Sequence, residues 1–194
     1  FVARGEKFQE FANSVAAEIL KNSLENLDSF QDRVNEMVAA TGEKTVLGRF
    51  VHFKLAGEGV VGTYVHSNKK LATLVELDTD KPANEQVAEC AKNVAMQVAA
   101  ANPLALDLES LDPALVSRER EVYRKKYLDE GKPEKIVDRI VDGAIKKYCQ
   151  DVCLLDQLYI RDDKMTIRDL IKSASKAAGM NITVSKFVRI QLGA

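Results

Sequence analysis

The sequence predicts an α/β (α+β) protein of two related subdomains, with antiparallel strands packed by helices and an antiparallel helical hairpin inserted in the second. Three observations carry this expectation. Apolar residues switch between a helical period and a period of two along the chain. Two charged amphipathic segments are joined by a short Gly/Pro turn at Gly131–Pro133. An internal echo recurs at an offset of 79 residues.

Each element has its own justification. Residues 5–20 read as a helix, with Phe8, Phe11, Ala12, Val15 and Ile19 on one stripe. Asn22 or Ser23 then caps a second helix carrying Leu24, Leu27, Val34 and Val38, with Gly42 as its stop. Arg49 to Leu55 alternates, Ala56 to Gly59 turns, and Val60 to His66 is β-branched and aromatic. Ser67 to Lys70 turns again before the apolar run Leu71 to Leu77, which completes a three-stranded antiparallel meander. Residues 84–101 form the clearest helix, with Val87, Ala91, Val94, Val98 and Ala101 on one face and Pro103 beyond its end.

Asp112-Pro113 starts the hairpin, since Pro at the first helical position lacks an N–H that would be unpaired anyway. Val116, Tyr123 and Tyr127 give the outgoing helix a narrow stripe. Ile136, Val137, Ile140, Val141, Ala144, Ile145 and Tyr148 give the returning one a broader stripe. Thr166 with Asp169 forms a capping pair for a helix closed by Gly179, and Asn181 to Leu192 alternates as a final strand. The echo matches Glu10, Ala12, Val15 and Ala16 to Glu89, Ala91, Val94 and Ala95. The expected division is therefore 1–68, a core subdomain lacking its first strand, and 69–194, a second core subdomain with the hairpin at about 113–149.

The totals exclude several classes. With Lys plus Arg at 28 and Asp plus Glu at 29, the net charge is −1, so direct nucleic-acid binding, which draws on released counterions, is not expected. No apolar run approaches the ~20 residues that span a bilayer, and no membrane partner is expected. Nothing near residue 1 reads as a signal peptide, and the chain begins without Met. Cys90, Cys149 and Cys153 are too few for a disulfide framework and point to a reducing compartment: cytoplasm, or an organellar matrix or stroma. Cys149 and Cys153 lie four apart with no His nearby, so packed thiols are expected rather than a metal site. His52 and His66 stand beside no recognisable nucleophile motif, Gly57-Glu58-Gly59 lacks a phosphate-cradling pattern, and Arg118 to Lys126 is interrupted by Glu119 and Glu121. No enzyme and no cofactor are expected.

Taken together, the motifs resemble a family. Phe1-Val2-Ala3-Arg4 with Glu6, Lys7 and Phe8 resembles the end of the Thr-Asp-Phe-Val-Ala-Arg/Lys signature of elongation factor Ts. Tyr64-Val65-His66 before Leu71 to Val75 is similar to that family's strand pair, and Val94 to Ala100 followed by Pro103 to its core helix. Gly131 to Ile136 with Val141-Asp142-Gly143 resembles the turn and returning helix of its projecting hairpin. The similarity runs through the whole chain in the family's order.

The resemblance implies a guanine-nucleotide exchange factor without an active site, binding elongation factor Tu in its GDP-bound and nucleotide-free forms and promoting GDP release. Its intruding aromatic matches Phe1, followed by Val2. A second intruder, often His, matches Gln97, which keeps hydrogen-bonding capacity without a charge. Leu71 and Ala72 match the start of a strand that touches the same partner domain. Pairing with a second copy stays open. The alternative reading is a helical-hairpin scaffold or chaperone-like interaction module whose working part is the arm around Gly131.

Overall fold

The stripe at Phe8 to Ile19 makes α1, Glu6–Asn22, which buries Phe11, Val15 and Ile19. A computed structural model describes residues 2–193. The chain forms two compact units, residues 1–54 and 55–194. In the first unit α1 ends where Ser23 turns left-handed at φ 49° and the Leu24 N–H reaches back to the Ile19 carbonyl. Ser23 therefore stops α1 rather than starting the next helix. After a 3-10 turn at Asp28–Phe30, α2 runs Gln31–Thr41 and is closed, as expected, by Gly42. Leu24 and Leu27 still reach the interior, from the connector, packing on Phe11, Phe30 and Val34. The Arg33 guanidinium lies 5.8 Å from the centre of the Phe11 ring and 5.5 Å from that of Phe30, while pairing with Glu18 at 3.0 Å.

The expected strand at Arg49–Leu55 does not form. Its alternation has another use, because Phe50, with Leu47 before it, packs into this helical interior. The meander is corrected accordingly. In the second unit β1 (Gly59–Val65) and β2 (Leu71–Thr79) pair antiparallel, with Val65 opposite Ala72, and the third strand is β5 (Ile182–Gln191) on the other edge of β2. Because β1 and β2 form one hairpin, residues 55–68 belong with the second unit, and the expected division near residue 69 falls inside that hairpin.

The helix α3, Glu85–Ala101, lies on this sheet. The Asn84 side chain caps it by accepting from the Val87 N–H at 3.2 Å, and left-handed Asn102 ends it. Val87, Ala91, Val94, Ala95 and Val98 are fully buried against Val75 and Leu77. The contact is close because Gly62 on β1 sits over the α3 backbone: a Cβ there would lie 2.4 Å from the Ala91 carbonyl. Two polar bonds fasten the layers, from Thr73 Oγ1 to the Ala95 carbonyl at 2.8 Å and from Arg189 Nε to the Ala99 carbonyl at 3.3 Å.

The hairpin forms as read. Asp112 caps α4 (Pro113–Asp129), and α5 (Glu134–Val152) returns. The turn between them is a Schellman ending, with Gly131 at φ 76° and the Lys132 N–H on the Tyr127 carbonyl. All the fully buried positions of the pair, Val137, Val141, Ile145 and Cys149, come from α5. Arg120 pairs with Asp142, and Arg124 with Asp138 and Glu134. Beyond the hairpin a small ribbon, β3 (Leu158–Tyr159) and β4 (Asp162–Thr166), leads into α6 (Ile167–Ala178). Its Thr166/Asp169 capping box and Gly179 ending match the reading of the sequence.

At Gly62 a methyl group has nowhere to go, because the opposing atoms are backbone. Gly62→Ala is expected to lower stability by about 1–3 kcal/mol, read as a lower urea midpoint. Gly57→Ala, where nothing lies within 4 Å, should change it by less than about 0.5 kcal/mol.

Candidate partner-binding surface

The sequence-expected site residues fall in both units. Phe1 lies outside the described residues. Val2 begins a 3-10 turn, Val2–Arg4, in the first unit, and its carbonyl accepts from the Gly5 N–H at 2.9 Å. It stands half-buried beside a shallow cleft of about 350 Å³ whose far side is Glu43 to Val46. Leu71 and Ala72 open β2 in the second unit and are half-buried. Leu71 is tied down by its neighbours: its carbonyl accepts from the His66 N–H at 2.9 Å, and the adjacent Lys70 carbonyl accepts from the Leu192 N–H at 2.8 Å. Val65 and Leu192 flank this end of the sheet and are both strongly exposed.

Gln97 is placed differently. It sits on α3 with 1% of its surface exposed, facing the β3–β4 ribbon rather than solvent. Its amide nitrogen donates to Gln157 Oε1 at 3.2 Å and to the Leu158 carbonyl at 3.1 Å, and its oxygen accepts from the Ile160 N–H at 2.9 Å. Gln157, also buried, passes the network on by donating to the Asp151 carbonyl at the end of α5, at 2.9 Å. A buried amide is costly unless its donors and acceptor are matched, and here each is matched by the chain itself. The bond from Thr73 to the Ala95 carbonyl places the start of β2 beside the C-terminal half of α3.

Residues 157–161 carry no strong signal in the sequence. The structure puts Gln157 and Tyr159 inside and leaves Leu158 57% and Ile160 49% exposed. The available signal was the alternation around Tyr159, too short to register against the flanking helices.

The three thiols are inert by environment. Burial, with the Glu89 charge second, pushes the Cys90 thiol up to about 11. Burial likewise pushes Cys153 up to about 12 and raises Cys149, whose thiol is hydrogen-bonded to that of Cys153. Among the described residues no group of three or more His, Cys, Asp or Glu side chains could hold a metal ion, and no helix is long and apolar enough to cross a membrane.

What the fold and these networks define is an α+β protein whose described buried polar groups hold its own strands and turns in place. The comparisons with known proteins give it a family. The family model described as Elongation factor TS matches residues 1–194. A protein named Elongation factor Ts from Nitratidesulfovibrio vulgaris is 51% identical over all of this chain and 68% of its own length. One of that name from Desulfovibrio desulfuricans is 50% identical over all of this chain and 71% of its own, and one from Clostridium novyi 38% identical over 67% of its own. The chain belongs to the elongation factor Ts family, and so to the translation elongation factors.

The thiols supply a test of this packing. In native protein at pH 8, Ellman's reagent should modify Cys90, Cys149 and Cys153 slowly, and all three at once after unfolding in urea. The raised values fix the sign of the pH dependence. Folding favours the protonated thiols, so their contribution is complete below the ordinary value of 9.0 and is lost as pH rises toward about 12. The urea midpoint should therefore fall above pH 9 from this source.

Proposed function

We propose that this chain is a guanine-nucleotide exchange factor: it binds elongation factor Tu and promotes release of GDP during translation elongation, acting in the cytoplasm and catalysing no bond chemistry of its own. The observation that carries the reading is the family match along the entire chain, at 51% identity to a relative named Elongation factor Ts. Exchange needs no acid, base or nucleophile. It needs a surface that binds the nucleotide-free partner more tightly than the GDP-bound one. By linkage, whatever factor separates those two affinities is the factor by which the partner's hold on GDP falls.

Two separate contacts are proposed for this: Phe1 and Val2 in the first unit, and Leu71 and Ala72 in the second, the unit that also holds the buried Gln97. Phe1 supplies a large apolar side chain whose burial in a partner contributes roughly 1.5–3 kcal/mol. Leu71 and Ala72 sit at a strand end held by backbone bonds on both sides, which suits a rigid contact. A second reading, a helical-hairpin interaction module, is favoured by one feature: α4 has no buried residue, so its charged face is available to another partner.

The deciding measurement is release of a fluorescent GDP from elongation factor Tu, with and without this chain, at matched magnesium. Release should accelerate, and Phe1→Ala should raise the concentration needed for half-maximal acceleration about tenfold, as ~1.4 kcal/mol requires. A paired Leu71→Glu, Ala72→Glu variant should do likewise. Replacing residues 118–144 by a short Gly-Ser turn should leave the acceleration largely intact. Loss of all activity in that variant, with the core still folded, would favour the hairpin reading. A chain that neither binds the partner nor speeds release overturns the exchange reading.

A further inference from the structure

We propose that the groove between α6 and the free edge of β5 is a docking site for an extended acidic segment of another protein, which adds to the sheet as a further strand. The inference goes beyond the exchange reading and does not depend on it.

Three features of the groove converge on that occupant. The first is a backbone edge. The sheet runs β1-β2-β5, so β5 is paired on one side only. Ile182, opposite Thr79, turns its N–H away from β2 and donates it to Ser175 Oγ on α6 at 2.9 Å. Alternate residues of an antiparallel strand direct their backbone groups to the same side, so Val184, opposite Leu77, points its N–H and carbonyl toward the groove. The register shift immediately after Val184 bends the strand, which keeps the open edge short.

The second is an apolar floor. The cleft between α6 and β5 measures about 500 Å³ and is floored by Leu155, Ile171, Ile182 and Val184. Ile171 and Ile182 belong to the main core cluster, so the floor is fixed by the fold. The third is charge. Arg168 and Lys172 stand one turn apart on α6 and form the rim. The acidic groups nearby are already engaged: Asp156 by Arg168 at 3.1 Å, and Asp169 by Thr166 in the capping box. Asp80, at the closed end, accepts from the Asn181 backbone N–H at 2.9 Å and from its side-chain nitrogen at 2.8 Å. Among the described residues Lys172 forms no ion pair, acting on Asp169 of its own helix through its field alone.

Each feature selects one property of the occupant. Free backbone donors and acceptors at a strand edge fit an extended chain, whose own N–H and carbonyl groups are available in exchange. The floor takes an aliphatic side chain. The rim takes carboxylates two residues before or after it, because those side chains share its face. A basic segment would meet Arg168 and Lys172 with like charge, and two copies pairing edge to edge would bring their cationic rims together.

The probe is a fluorescein-labelled peptide, Thr-Glu-Thr-Val-Thr-Glu-Thr with blocked ends, in which Val and both Glu share one face of a strand. The full chain should bind it, with amide NMR shifts concentrated at residues 171–175 and 182–184, and binding should weaken as salt is raised. Lys172→Glu, an exposed change, should raise the dissociation constant about tenfold. Val184→Pro deletes a groove-facing N–H and no bond to β2, and should weaken binding likewise. Methylating the backbone nitrogens of alternate peptide residues reports the binding mode: the set facing β5 should abolish binding and the other set should not. No binding of the peptide overturns the inference. So does equal binding of a version with Lys in place of both Glu, an unchanged constant in Lys172→Glu, or equal tolerance of both methylated sets. If the peptide fails to bind and Val184→Pro instead abolishes self-association seen by sedimentation, the edge pairs two copies and the inference again falls. GDP release from elongation factor Tu is read separately, so the exchange reading stands in every one of these cases.

Discussion

Gly62 and Ala91 meet with no side chain between the β1 backbone and the α3 backbone, and the second unit is built outward from that contact. A helix this close to a sheet must show it small residues. Ala91 and Ala95 do so, with Val87, Val94 and Val98 filling the space on either side against Val75 and Leu77. The rotation of α3 about its own axis follows. Once those residues face the sheet and its neighbours, Gln97 is carried round to the β3–β4 ribbon, and the Ala95 and Ala99 carbonyls come within reach of Thr73 and Arg189. The close packing and the polar network are therefore two results of one choice of helical phase.

The buried polar groups of this unit set register as well as satisfying one another. Glu76, 4% exposed, faces Lys186 across the β2–β5 ladder and pairs with it at 3.1 Å. The ladder shifts immediately afterwards, leaving Ser185 as the extra residue, and its hydroxyl bonds both the carbonyl and the carboxylate of Glu76. The bulge and the ion pair explain each other, since the added residue brings a second partner to a carboxylate that burial would otherwise leave exposed to a large desolvation cost. Gln97 and Gln157 play the same part between α3, α5 and the ribbon without any charge. One network specifies how the last strand pairs, and the other how a short ribbon is presented.

The hairpin follows a different logic. Its interior is supplied by α5 and a small cluster at its base around Ala105, Leu111 and Cys153, while α4 contributes only half-buried residues such as Val116, Tyr123 and Tyr127. Exposed ion pairs of the Arg120–Asp142 kind contribute at most about 1 kcal/mol each, so they align the two helices more than they stabilise them. Pro113, left-handed Gly131 at the tip and Cys153 set where the arm's helices start and stop, and backbone bonds between residues 104–106 and 152–155 tie its base.

The helices and their ends were legible in the sequence because their signals are local. The α3 stripe, Asp112-Pro113, Gly131, and the Thr166/Asp169 box with Gly179 each act within a turn of the residues they control. Strand pairing was legible only where a short turn joins the partners: the β1–β2 hairpin was expected and forms, while the third strand was not the expected one. Arg49 to Leu55 alternates as well as a strand should, but Phe50 packs into a helical interior instead, and only the fold decides which neighbour takes it. Ser23 shows the same limit on a smaller scale, since it suits a helix start and here adopts the left-handed turn of a helix end. By itself the sequence determined the helix phases, the hairpin and the family. The tertiary structure decided that β5 rather than residues 49–55 completes the sheet, that β1 lies with the second unit, and that Gln97 faces inward. The placing of β5 and of Gln97 depends on contacts between residues 60 or more positions apart, and no local pattern encodes which of several apolar or polar partners such a residue will meet.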